Sequence, residues 1–168
     1  MVVSVFDVAK YILEYFEGKD ISTFKLQKLC YYSQAWSLVW DDESLFNEKI
    51  LAWANGPVIR ELYDYHKGNF SINSKRFRYA HGNLRNLSKE QKLTIDAVLN
   101  AYGNLSGQQL SQLTHNERPW SIAREGLSAG ERGERIITLD SMVEYYSALY
   151  HEQLSKKDKN TTSHKRNS

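Results

Sequence analysis

Three short strings constrain what this chain folds into: Lys25-Leu-Gln-Lys-Leu-Cys-Tyr-Tyr32, Leu51-Ala-Trp-Ala-Asn-Gly-Pro-Val58 and Leu113-Thr-His-Asn-Glu-Arg-Pro-Trp120. Each sets large aromatic side chains beside residues that dictate backbone direction. Asn55-Gly56-Pro57 and Pro119-Trp120 fix the path of the chain, while Trp53 and Trp120 demand burial, so the strings read as corners of one small helical core. A chain of 168 residues suits a single domain that buries about 70% of the surface its unfolded form exposes.

The rest of the sequence fills in a mainly α, compact single-domain bundle of about six helices. Val5, Phe6, Val8, Ala9, Ile12, Leu13 and Phe16 recur at helical spacing before Gly18 and predict a first amphipathic helix. A second, capped by Ser22 or Thr23, runs through Leu26, Leu29, Cys30, Ser33, Trp36 and Val39. It is apolar over much of its circumference, as expected of a central helix packed on several sides. Residues 45–55 lack a helical period and read as a short extended or hairpin insertion, and 70–86 as a second, irregular one. Between them Pro57 predicts the start of a third helix, with Asn55 or Gly56 as cap and Val58, Leu62 and Tyr65 as its stripe. Ser88 with Gln91 and Ser106 with Gln109 are capping boxes that open two more helices. Pro119 starts a short helical turn closed by Gly126. Gly126, Gly130 and Gly133, with charged residues between them, read as an exposed loop. A last helix from about Asp140 turns Met142, Val143, Tyr146, Leu149 and Tyr150 inward.

Charge divides the chain into a domain at 1–154 and a basic tail at 155–168. The tail carries Lys156, Lys157, Lys159, Lys165 and Arg166 against Asp158, whereas the preceding 154 residues hold 17 basic and 19 acidic groups. Without apolar anchors the tail is expected to be disordered. Lys75, Arg76, Arg78, Arg85 and Lys89, interleaved with Phe77 and Tyr79, form a second basic stretch that suits either a solvated loop or phosphate contact.

Catalytic constellations are scarce. Cys30, the single cysteine, precludes an internal disulfide and a cysteine-ligated zinc site, and its place in an apolar helical stripe reads as a small buried hydrophobe. With His115 it makes the one nucleophile and base pair worth considering, and burial argues against it. His66, His81, His115, His151 and His164 share no metal-ligand spacing, so no metal is expected, and His115 is placed near the end of a helix where imidazole meets open carbonyls. No phosphate loop or dinucleotide fingerprint occurs. No enzymatic activity and no cofactor is therefore expected. Lys25, Gln27 and Lys28 would serve a DNA recognition helix, except that their helix continues as a core helix through Trp36. A leader-like start and an apolar run of membrane length are both missing, which predicts a cytoplasmic protein.

The strings also resemble the Panacea domain family, the antitoxin SocA-like proteins formerly described as phage-associated proteins of unknown function. The resemblance rests on Leu26, Gln27, Lys28 and Leu29 with Tyr31, Tyr32 and Trp36. It continues through Trp53, Gly56, Pro57 and Val58 with Leu62 and Tyr63, then Leu110, Thr114, His115, Pro119 and Trp120. Asn55 occupies a variable position of the motif, and neither the tail nor 75–89 is covered. The resemblance implies an antitoxin of a bacterial or prophage toxin–antitoxin system that neutralises a cognate protein toxin by direct contact. The alternative is a proteolytic adaptor or DNA-binding regulator acting on the toxin or its operon. No catalytic residue is carried over. Because interface hot spots favour Trp, Tyr and Arg, the residues expected to grip the partner are Tyr31, Arg60, Tyr63 and Trp120, with Lys28 and Glu61 as rim charges. Trp53 and Trp120 also suit a structural role, wedging elements together beside turns.

Overall fold

Four serines start four helices. In the computed structural model, which describes residues 2–166 and side chains through residue 160, Ser4 caps α1 (Val5–Tyr15), Ser22 caps α2 (Thr23–Trp40), Ser88 caps α5 (Lys89–Tyr102) and Ser106 caps α6 (Gly107–His115). Both expected capping boxes form: Gln91 and Gln109 each accept from the backbone N–H of their serine at 2.8 Å. Two orphan helix donors are satisfied reciprocally at each such end.

The remaining elements are short until the last. β1 (Ile21–Ser22) pairs antiparallel with β4 (Ser71–Ile72), and β2 (Ile50–Trp53) pairs antiparallel with β3 (Gly56–Ile59) across a two-residue turn. α3 spans Arg60–His66, α4 Ser74–Phe77 and α7 Arg118–Ala123, with one 3-10 turn at Leu84–Asn86. α8 runs from Leu139 to Arg166. The expectation of a mainly helical bundle with a hairpin therefore holds, and α4 is a helix the sequence reading did not anticipate. Residues 155–166, expected as a disordered tail, continue α8 as helix, and residues 167–168 lie outside the described residues.

The region around Pro57 needs correction. Gly56-Pro57-Val58-Ile59 forms the second strand of a hairpin, and the helix begins only at Arg60. Pro57 lies opposite Ala52, whose N–H donates to the Arg135 carbonyl at 2.8 Å and whose carbonyl accepts from Arg124 Nη1 at 2.8 Å. That pair makes no demand on the N–H that proline lacks, so the strand tolerates it. The 135–137 segment thus runs along the other edge of β2, with Ile137 N–H donating to the Ile50 carbonyl. In α8, Met142 and Tyr146 are buried as expected, but Val143 is 39% exposed and does not face the core.

The core surrounds α2, which contacts α1, α5, α6, α8 and β3. Residues Leu26 through Leu38 are buried without interruption, which explains why this helix shows no amphipathic face in its sequence. Its polar side chains therefore need partners within the protein. Gln34 takes the Leu45 N–H at 2.6 Å and donates to the Phe46 carbonyl at 2.7 Å, Ser37 donates to the Glu43 carbonyl, and Ser33 to the Leu29 carbonyl. Tyr32 donates to Glu117 Oε1 at 2.6 Å and Tyr146 to the same oxygen at 2.9 Å, while the Tyr31 and Tyr146 hydroxyls lie 3.0 Å apart. These bonds pin α8 and the start of α7 to the central helix.

Gly56 couples this helix to the hairpin. Its φ is +122°, and a Cβ there would stand 2.7 Å from Lys28 Cε and 3.2 Å from Thr114 Oγ1. Both the backbone conformation and the space exclude a side chain. Gly56→Ala is expected to lower stability by about 1–3 kcal/mol, read as a reduced Tm by circular dichroism; a Tm equal to that of the parent would refute this account of the turn.

Candidate functional site

The hairpin turn, the start of α2 and α3 enclose a cleft of about 450 Å3. Phe24, Trp53 and Tyr63 supply its aromatic walls, Gln27, Lys28 and His66 its buried polar side, and Gly130 and Arg132 approach from the loop before α8. Among the described residues no group of three or more His, Cys, Asp or Glu gathers to hold a metal.

Gln27 builds one side by acting as an extra strand residue. Its Oε1 accepts the Ile59 N–H at 2.8 Å, and its Nε2 donates to the Ile59 carbonyl at 3.2 Å. The same Nε2 lies 2.9 Å from His66 Nε2, which therefore accepts and carries no proton. Burial and the Lys28 charge hold the His66 imidazole below its usual pKa range, consistent with that neutral form.

Lys28 occupies the interior. It is fully buried, and Nζ has no hydrogen-bond partner among the described residues. The Phe24 ring covers the ammonium at 3.9 Å from its centroid, a cation–π contact that offsets part of the desolvation cost. Burial pulls the Lys28 pKa down to about 7 from the usual 10.5.

On the other side, Trp120 donates to the Trp53 carbonyl at 2.8 Å and stacks on His115 with ring centroids 4.0 Å apart. Burial, with Lys28 and Arg124 nearby, keeps His115 below the usual imidazole range. Ser111 donates to the Asn55 carbonyl, so α6 holds the turn itself. Arg124 is buried and straps the following loop: Nη1 donates to the carbonyls of Ala52 and Arg132, and Nη2 to those of Ser128 and Glu131. The loop in turn lays the exposed Arg132 guanidinium 3.8 Å over Trp53 and 5.7 Å from the Tyr63 ring, while Trp53 and Tyr63 meet edge to face.

The three motif strings thus meet around one turn. Leu26 and Leu29 lie in the core, Thr114 is buried beside Gly56, and Pro119 is buried at the start of α7. Of the residues expected to grip a partner, Arg60 and Glu61 are exposed, with Arg60 paired to Glu134 at 2.7 Å, and Tyr63 and Trp120 are half-buried. Tyr31 is fully buried against Tyr32 and Tyr146, so it stands in the core and away from any surface. Lys28 is likewise a buried side chain and no rim charge. Both misplacements have one cause: α2 is enclosed on every side, so none of its middle turns reaches solvent. Arg124, Arg132 and Phe24 were not among the site residues expected from sequence, and His66 was weighed there only as a metal ligand. Nothing local reveals that Arg124 folds the loop back onto Trp53.

A family model, antitoxin SocA-like, Panacea domain, matches residues 26–121. The chain belongs to the SocA-like Panacea antitoxin family. No curated protein and no solved structure matches it. The matched span opens in the first turn of α2 and closes in α7, so it takes in the Gln27 bridge, Gly56 and the Trp120 contact with Trp53. No helix of the described residues is long and apolar enough to cross a membrane. Cys30 is fully buried, and burial with the Glu48 charge pushes its thiol far above the ordinary range, which is the opposite of an activated nucleophile.

Two measurements check this geometry. Gln27→Leu keeps the side-chain size but strands the Ile59 N–H and carbonyl, and should cost about 2–4 kcal/mol in urea unfolding; a loss below the error of the measurement would contradict the bridge. Lys28 has a folded pKa below its unfolded value, so between about pH 7 and 10.5 the unfolded chain binds the extra proton and stability rises with pH. The Tm of the parent chain relative to Lys28→Met should therefore climb as pH is raised from 7 to 10. A constant difference would show that the amine titrates normally.

Proposed function

We propose that this protein is the antitoxin of a toxin–antitoxin pair and neutralises its toxin by direct protein–protein contact, without a catalytic step. The observation that carries the reading is the Panacea match across residues 26–121. The surface beside the cleft supports it. Arg60 and Glu61 are exposed at the start of α3, next to half-buried Tyr63 and exposed Arg132. Tyrosine and arginine on a rigid element at the edge of a concave site are the composition of an interface hot spot. This gripping surface comprises Arg60, Glu61 and Tyr63, with the half-buried Trp120 supporting the hairpin behind it.

The experiment is co-expression with the adjacent reading frame. The neighbour alone should arrest growth, and this chain should restore it and co-purify with it. Combining Arg60→Glu with Tyr63→Ala should abolish rescue while the melting temperature stays within a few degrees of the parent. Retained rescue by that folded double variant would remove this surface from the interface, and a neighbour harmless on its own would remove the antitoxin reading.

A second reading, an adaptor or DNA-binding regulator, draws on α8. Residues 151–160 of this helix are exposed, and basic residues dominate from Lys156 onward. Deleting residues 155–168 distinguishes the two. Masking alone predicts unchanged rescue, whereas the regulator predicts loss of DNA retention at low salt.

A further inference from the structure

The cleft at the Gly56 turn carries a charge imbalance that toxin binding through α3 does not use. Lys28 and Arg132 both line it, and no aspartate or glutamate does. Lys28 Nζ offers three donors, none of which meets an acceptor among the described residues. A buried ammonium without acceptors is costly, and the neighbouring imidazoles supply it none: His66 Nε2 already accepts from Gln27, and His115 Nε2 has no hydrogen-bond partner among the described residues. The walls are flat and apolar: Phe24, Trp53 and Tyr63. The cleft volume of about 450 Å3 lies within the range of roughly 300–1,000 Å3 that small ligands occupy.

We propose that this cleft binds a small oxyanion, a phosphate or a carboxylate carried on a flat ring, with the anion held by Lys28 and Arg132 and the ring packed among the aromatic walls. Phe24 is half-buried, covers Nζ and also lines the cleft. Turning its ring about χ1 opens the ammonium to the ligand, which replaces a cation–π contact by charge-assisted hydrogen bonds. Arg132 already lies over Trp53 and Tyr63, so its guanidinium is preorganised at the mouth. The proposal stands independently of the antitoxin reading, because the ligand acts on the chain alone.

The test is titration of the full chain with phenyl phosphate, benzoate and uncharged benzamide, followed by thermal shift and calorimetry. At least one of the two anions should raise the Tm by several degrees at millimolar concentration, and benzamide should not. Phenyl phosphate acting alone assigns the site to phosphate esters, and benzoate alone to carboxylates; if both act, the tighter one names the class. Affinity of the parent chain for the active anion should fall at least tenfold between pH 6.5 and 8.5 as the lysine loses its proton. Lys28→Met should abolish binding. Arg132→Ala, a change at an exposed position that leaves the fold intact, should weaken it at least fivefold and decides the matter if Lys28→Met fails to fold. The proposal is overturned if neither anion shifts the Tm, if benzamide shifts it equally, or if the folded variants bind as the parent does.

Discussion

The enclosure of α2 governs this molecule. A helix buried from Leu26 through Leu38 has no water to satisfy its polar side chains, so each must find an internal partner. Gln34 fixes the segment at Leu45 and Phe46, Ser37 fixes Glu43, and Tyr32 reaches Glu117 at the entry to α7. Gln27 completes the edge of β3 by bonding both backbone groups of Ile59. The surrounding loops are therefore ordered by side chains that radiate from one central rod. Glu117 shows what this requires. Burial raises its carboxyl pKa, while the hydroxyls of Tyr32 and Tyr146 work the other way by donating to its charged form.

Lys28 is the exception on that rod. The other polar side chains of this helix named above are matched, whereas this ammonium meets only the face of Phe24. The exception lies where the family motifs converge, beside a glycine whose missing Cβ makes room for the lysine stem. The scaffold is well packed around one uncompensated charge at a cleft. Rigidity comes from α2 and its matched partners, and the proposed binding surfaces draw on the side chains of the turn, α3 and the Arg124-strapped loop.

Several elements were legible from sequence because their determinants are local. Ser88 with Gln91 and Ser106 with Gln109 name helix starts within four residues, and the periodic apolar residues of α1 leave no other reading. The Pro57 segment was misread because proline at a helix start and proline in an edge strand look alike locally. What decided between them was Ala52, whose hydrogen bonds go to Arg135 and Arg124. Tyr31 was expected at a surface because its chemistry suits one, and burial inside a ring of other helices cannot be read from its own neighbours. Of the cleft, Gln27, Lys28, Trp53, Gly56 and Tyr63 stood out in the sequence, but their meeting around one turn did not.

By itself the sequence determined a mainly helical core, the helix starts and membership of the SocA-like Panacea family, since caps, apolar spacing and motif residues are properties of short stretches. Tertiary structure alone decided that Lys28 is buried without a hydrogen-bond acceptor, that Tyr31 is lost to the surface, and that Arg124 brings Arg132 onto Trp53. Those facts depend on distances between segments up to about a hundred residues apart, which are set only when α2 is enclosed and its polar groups choose their partners.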